Sequence, residues 1–160
     1  MRDFSKVSPS LWQSDRFNSL ASDDARLVYL YLLTNAHQTS AGAYRLPDAY
    51  AAADLRWTIE RYQYARSELI GAGLINHDAT ANVVMITRWF RINPPMNEKH
   101  LKGIRQILDR LSSQIIWQEA TAELDELMEA IAKDKAEKET RQVTGKAPGN
   151  PWTGWKPKAA

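Results

Sequence analysis

Apolar and polar positions change period several times along this chain, and the changes divide it into elements. Leu11, Trp12, Phe17 and Leu20 mark a short amphipathic segment near the N-terminus. Ser22-Asp23-Asp24 then supplies an N-cap and an acidic first turn, which favour a helix start. Ala25 to Asn35 is apolar over most of a helical circumference (Leu27, Val28, Tyr29, Leu30, Tyr31, Leu32, Leu33), so it predicts a core helix buried on more than one side. Ala43 to Leu46 has strand character, and Pro47-Asp48 opens an alanine-rich helix reaching Leu55. Thr58 is the expected N-cap of the next helix, whose inward edge is expected at Ile59, Tyr62, Ala65, Leu69 and Ile70. Gly73 suits the left-handed residue that ends it. Two strand-like runs, Leu74–His77 and Asn82–Thr87, flank Asp78-Ala79-Thr80-Ala81 and predict a hairpin. Trp89, Phe90 and Ile92 extend an apolar surface until Asn93-Pro94-Pro95 stops the strand.

Beyond Met96 the pattern is helical. Leu101, Ile104, Leu108, Leu111 and Ile115 form a heptad-like seam, broken at Ser112-Ser113. A second helix, about Gln114 to Thr140, carries Ala120, Leu124, Leu127 and Ile131 on one stripe. After Gln142 come three prolines, three glycines and two tryptophans without periodicity, read as a flexible tail. Three segments follow: 1–95 with the helices and hairpin, a 96–141 helical extension for assembly or partner contact, and a 142–160 tail.

Strand, helix, tight turn, helix and hairpin in that order predict a mainly α fold with a small β-hairpin. This is a winged helix-turn-helix whose second helix is shaped for a DNA major groove. With Ile59, Tyr62, Ala65 and Leu69 inward, that helix presents Arg61, Gln63, Tyr64 and Ser67 outward. Arg56, Trp57 and Thr58 occupy the preceding turn. Arginine reads guanine and glutamine reads adenine, while tyrosine and serine hydroxyls suit phosphates. Arg45, Arg88 and Arg91 extend the expected phosphate rim. The hairpin tip has no cation, which predicts modest affinity or a structural wing.

Charge refines this picture. The net charge of +2 announces nothing, but residues 56–110 hold nine Lys/Arg against five acids, and residues 115–141 eight acids against four bases. A basic middle beside an acidic helix fits one DNA-facing surface and a second surface for another partner. The absence of cysteine removes disulfides, thiolate metal sites and thiol catalysis. Met1–Lys6 lacks the apolar run of a signal peptide, and no stretch has the ~18 apolar residues of a membrane span, so a cytoplasmic protein with no membrane partner is expected.

The segments Lys6–Trp12, Asp23–Leu27, Tyr44–Pro47, Ala51–Leu55, Gly71–Ile75 and Trp89–Asn97 resemble the winged-helix modules of bacteriophage and prophage replication-initiation proteins. These include replisome organisers and DnaD-like helicase loaders. The resemblance covers about residues 4 to 112. It implies binding of double-stranded origin DNA or self-association, with a C-terminal region recruiting a replicative helicase or its loader. The chain departs from longer members after residue 112, where one acidic helix and a tail replace a second domain. ATP-driven loading is not expected: a phosphate loop around Gly145-Lys146 would need glycine at Thr140 and Ser or Thr at Ala147.

His37, His77 and His100 fall in separate elements without ligand spacing. Glu119, Glu123 and Glu126 share a helix face and are read as solvated rather than metal-binding. No catalysis, cofactor or metal is expected. Three functions fit: a phage-type replication protein, an operator-binding dimer joined through residues 97–140, or a protein-binding adaptor that has lost DNA binding. Leu124, Leu127 and Ile131, with Trp152 and Trp155 of the tail, are the candidate partner contacts.

Overall fold

A computed structural model describes residues 5–144. Two compact units divide the chain, Met1–Leu127 and Met128–Ala160. The first is mainly helical around a three-stranded antiparallel sheet. A 3-10 helix, Pro9–Gln13, leads into a one-turn α1, Asp15–Asn18. Then come α2 (Asp23–Thr34), β1 (Ala43–Arg45), α3 (Asp48–Leu55) and α4 (Ile59–Gly71). The hairpin strands β2 (Ile75–Asp78) and β3 (Val83–Ile86) follow, then α5 (Trp89–Ile92), α6 (Glu98–Leu108) and α7 (Gln114–Thr144).

The sheet order is β1-β3-β2, so β3 lies between the other two. Tyr44 pairs with Val84 on one side, and His77 pairs with Val84 on the other. All four β3 residues are buried, as befits a central strand covered on both faces. The hairpin closes through the Asp78 carboxylate, which accepts the backbone N–H groups of Thr80 and Ala81. Asn82 then takes a left-handed backbone at φ 53°, a conformation asparagine tolerates.

Helix α2 starts where Ser22 was expected to cap it, its hydroxyl accepting the Ala25 N–H at 3.0 Å. It buries Ala25, Val28, Tyr29 and Leu32, whereas Leu27 stays exposed. Thr58 caps α4 by accepting the Arg61 N–H, and Gly73 ends that element at φ +64°.

Several expectations need correction. On α4 the inward set is Tyr62, Ala65, Arg66 and Leu69, while Ile59 is 41% exposed and Ile70 also faces solvent. A buried arginine holds the place given to an isoleucine because Asp48 and Tyr62 receive it. Trp89–Ile92 does not prolong the strand: Arg88 turns the chain with φ 57°, and one helical turn buries Trp89 and Phe90. In the heptad-like seam Ile116 is buried and Ile115 exposed, because α7 begins afresh after Ser113, whose hydroxyl accepts the Ile116 N–H. Finally, the compact unit does not stop near residue 95.

Helix α7 explains that last difference. Glu123 sends one carboxylate oxygen to the Arg88 N–H and the other to the Phe90 N–H, both at 3.0 Å. Arg88 offers α5 no side-chain cap, so the carboxylate of a distant helix satisfies these N–H groups instead. Glu119 bonds Asn76 of β2, Ser113 donates to Asp78, and Arg105 of α6 pairs with Asp125 at 2.7 Å. Residues 97–127 therefore belong to the same body as the sheet. Glu119 and Glu123 are structural tethers rather than parts of a solvated acidic face. In the second unit α7 continues with residues 131–140 exposed and a Lys138–Asp134 pair at 2.6 Å.

Candidate functional site

Helix α4 offers the candidate surface, because a three-residue turn, Arg56-Trp57-Thr58, separates it from α3. Arg56 ends α3 in a left-handed conformation, φ 56°, stabilised by its N–H reaching back to Ala53. With Tyr62, Ala65 and Leu69 inward, the 100° step of a helix puts Glu60, Tyr64, Ser67 and Gly71 outward, with Gln63 on the flank facing α3. Tyr64 is 73% exposed. The Ser67 hydroxyl donates to the Tyr64 carbonyl within the helix.

Both arginines of α4 have aspartate partners from neighbouring helices. Arg61 donates through Nε and Nη2 to the two carboxylate oxygens of Asp24, each at 2.7 Å. Its guanidinium also lies 4.0 Å from the centre of the Trp57 ring, a cation–π arrangement. The paired hydrogen bond holds Asp24 below the usual carboxylate range and pushes Arg61 up. The pair is solvent-accessible, so it contributes little to stability and is screened by salt. On the other flank Asp48 takes Arg66 on one oxygen and Gln63 on the other, the latter at 2.7 Å. Arg66 also meets His77 Nε2 at 3.3 Å and lies over the Tyr62 ring. Burial, then the Arg66 charge, hold His77 below its ordinary value, and burial raises the Tyr62 hydroxyl to about 12.

The sequence-predicted cations do not form one rim. Arg45 is exposed at the end of β1, opposite Val83, the first residue of β3. Arg88 follows the other end of that strand, which spans roughly 10 Å at about 3.3 Å per residue. Helix α4 ends near Thr87, because the Gly73 carbonyl accepts the Thr87 hydroxyl at 2.7 Å. Arg56, Trp57 and Thr58 therefore lie a helix length away, roughly 20 Å at 1.5 Å per residue. Arg45 falls at the hairpin-tip end of the sheet, while Arg88 and Arg91 fall at the end where α4 stops.

Those two arginines instead line a cavity of about 460 Å³ with Lys6 and Arg16. Sequence reasoning missed it because its cations come from segments up to 85 positions apart, Lys6 to Arg91, and no periodicity links them. It also missed Asp24 and Asp48 as partners of the α4 arginines, reading them only as helix-start residues.

Of the proposed partner contacts, Leu124 is fully buried in its own unit and is withdrawn from the set, since a side chain in the core has no surface to offer. Leu127 is half-buried, and Ile131 is exposed. Trp152 and Trp155 lie outside the described residues. Among the described residues no group of three or more His, Asp or Glu could hold a metal, and no helix is long and apolar enough to cross a membrane. Comparison with known proteins finds no matching family model, no matching curated protein and no matching solved structure.

Proposed function

We propose that this chain is a winged-helix DNA-binding protein of phage type that acts in replication initiation, gripping duplex DNA and recruiting a replisome component. One observation carries the reading. Helix α4, the second of a tightly joined pair, projects Gln63, Tyr64 and Ser67 into solvent with Arg56 and Arg61 at its N-terminal end. The β1-β3-β2 order, with β2 and β3 as the wing hairpin, supports it. Arg61 is available despite its partner, because an exposed ion pair exchanges carboxylate for phosphate at small cost. The wing tip brings no cation, and Glu60 opposes a duplex, so affinity rests on few contacts and is modest.

The test is fluorescence anisotropy on a labelled duplex across a salt series. The logarithm of affinity falls linearly with the logarithm of salt, and Arg56→Ala and Arg61→Ala each lower the slope by about one. Absence of salt-dependent binding overturns the reading. A second reading, a protein-binding adaptor, is favoured by a specific observation. Both α4 arginines are tied to aspartates, while Tyr50, Ile59, Tyr64 and Ile70 are exposed. Binding to a replicative helicase that survives DNA digestion and Arg61→Ala would favour it.

A further inference from the structure

The cavity between the N-terminal segment and the end of β3 has chemistry that the proposed DNA contact does not use. Among the described residues four cationic side chains line it, Lys6, Arg16, Arg88 and Arg91, and no carboxylate does. Its apolar walls come from Leu11, Leu33, Leu74, Ile86, Trp89 and Ile92. A volume of about 460 Å³ falls within the range of small-molecule sites, roughly 300–1,000 Å³. A lining that combines cations with apolar side chains supplies both components of an amphipathic recognition site.

Arg16 is the anchored member. Its Nη1 donates to the Gly73 carbonyl at 2.6 Å and to the Thr87 hydroxyl at 3.2 Å. Among the described residues its Nε and Nη2 have no acceptor, nor have the side chains of Lys6, Arg88 and Arg91. Glu123, whose charge Arg88 feels, bonds the Arg88 and Phe90 N–H groups and is not part of the cavity wall. Burial, followed by the charge of Arg88, lowers the Arg16 pKa, and Tyr29 acts in the opposite sense.

We propose that this cavity binds a small organic anion with an aromatic or aliphatic body, its acid group on Arg16, Arg88 and Arg91 and its body against Leu11, Trp89 and Ile92. A carboxylate, sulfonate or phosphate offers planar or tripodal acceptors to guanidinium donors. DNA backbone satisfies only the charge, because it has nothing to set against the apolar side chains of the lining. The sheet register also puts this cavity at the opposite end of β3 from Arg45 and the hairpin tip.

The probe pair is anilinonaphthalene sulfonate and its uncharged parent phenylnaphthylamine, followed by fluorescence on the full chain. The sulfonate binds at least tenfold tighter than the neutral compound and raises the melting temperature. Arg91→Ala and Arg88→Asn, the latter chosen because asparagine accepts the left-handed backbone at φ 57°, each weaken the sulfonate at least fivefold. Both leave the neutral probe and the melting temperature without ligand unchanged, and Arg45→Ala changes neither affinity. Equal affinity for the two probes, or indifference to Arg88→Asn and Arg91→Ala, overturns the proposal. So does displacement of the sulfonate by duplex DNA, which would make the cavity part of a nucleic-acid surface. None of these readouts needs the DNA reading to hold.

Discussion

Replacing Gly42 by alanine tests whether the sheet and α5 are joined as tightly as described. Gly42 precedes β1 at φ +67°, where an L-residue costs about 1–2 kcal/mol. A methyl group there would come within 2.7 Å of Trp89 Cβ and closer still to its ring. The backbone cannot easily retreat: the Gly42 N–H donates to Thr39 at 3.1 Å, and its carbonyl accepts the Ile86 N–H at 2.9 Å. The indole must therefore move, straining the hydrogen bond from Trp89 Nε1 to the Ser40 carbonyl at 2.8 Å. Forcing a methyl into a filled space costs about 1–3 kcal/mol, and the strained bond about 1 more. The expected destabilisation is about 3–6 kcal/mol, a large part of the roughly 5–15 kcal/mol available to a domain. Two other glycines calibrate it. Gly73→Ala has the same left-handed backbone in open space and should cost only about 1 kcal/mol. Gly71→Ala, in the last turn of α4 with nothing within 4 Å, should stabilise by about 0.5–1 kcal/mol. The assay is urea denaturation followed by tryptophan fluorescence, with unchanged m-values as the check on two-state behaviour. If Gly42→Ala costs within 1 kcal/mol of Gly73→Ala, the Trp89 ring is not fixed against β1 and the reasoning fails.

Further outcomes follow from the site. Asp24→Ala releases Arg61 and removes a negative charge beside α4, so DNA affinity should rise severalfold with a steeper salt slope in anisotropy titrations. A fall would remove Arg61 from the interface. Glu123→Gln keeps one acceptor for two N–H groups and should lower stability by about 1–3 kcal/mol by denaturant titration, whereas no loss would dissolve the tether between α7 and α5. His77 is held below the ordinary histidine value of 6.5, so it takes up a proton less readily folded than unfolded. Its contribution is then complete above pH ~6.5 and is lost as pH falls below that value toward the folded pKa. His77→Gln should flatten that part of the stability profile, and an unchanged profile would contradict the assignment.

Local signals in the chain forecast local structure well. Ser22, Thr58 and Gly73 mark ends that need one hydroxyl or one missing Cβ, and each does the work expected of it. Failures occurred where a residue answers to a distant one. Arg66 turns inward because Asp48 and Tyr62 await it, and Glu123 leaves the solvated face because α5 lacks a cap of its own. A 3.6-residue period carries no information about either partner. The same holds for the arginines: as a string, Arg61, Arg88 and Arg91 read as one basic surface, but the length of α4 separates the first from the other two, and Asp24 pairs with it.

Glu68 has a consequence for anything that docks on α4. Its carboxylate accepts the Ala21 and Ser22 N–H groups and the Ser22 hydroxyl, so a side chain from one helix completes the capped start of another. Two helices clamped at such a joint cannot slide past each other without exposing three donors at once. A partner therefore meets a face whose angle is already set, and little ordering remains to be done on contact. Loosening that joint from behind would blur the face without touching a single outward side chain.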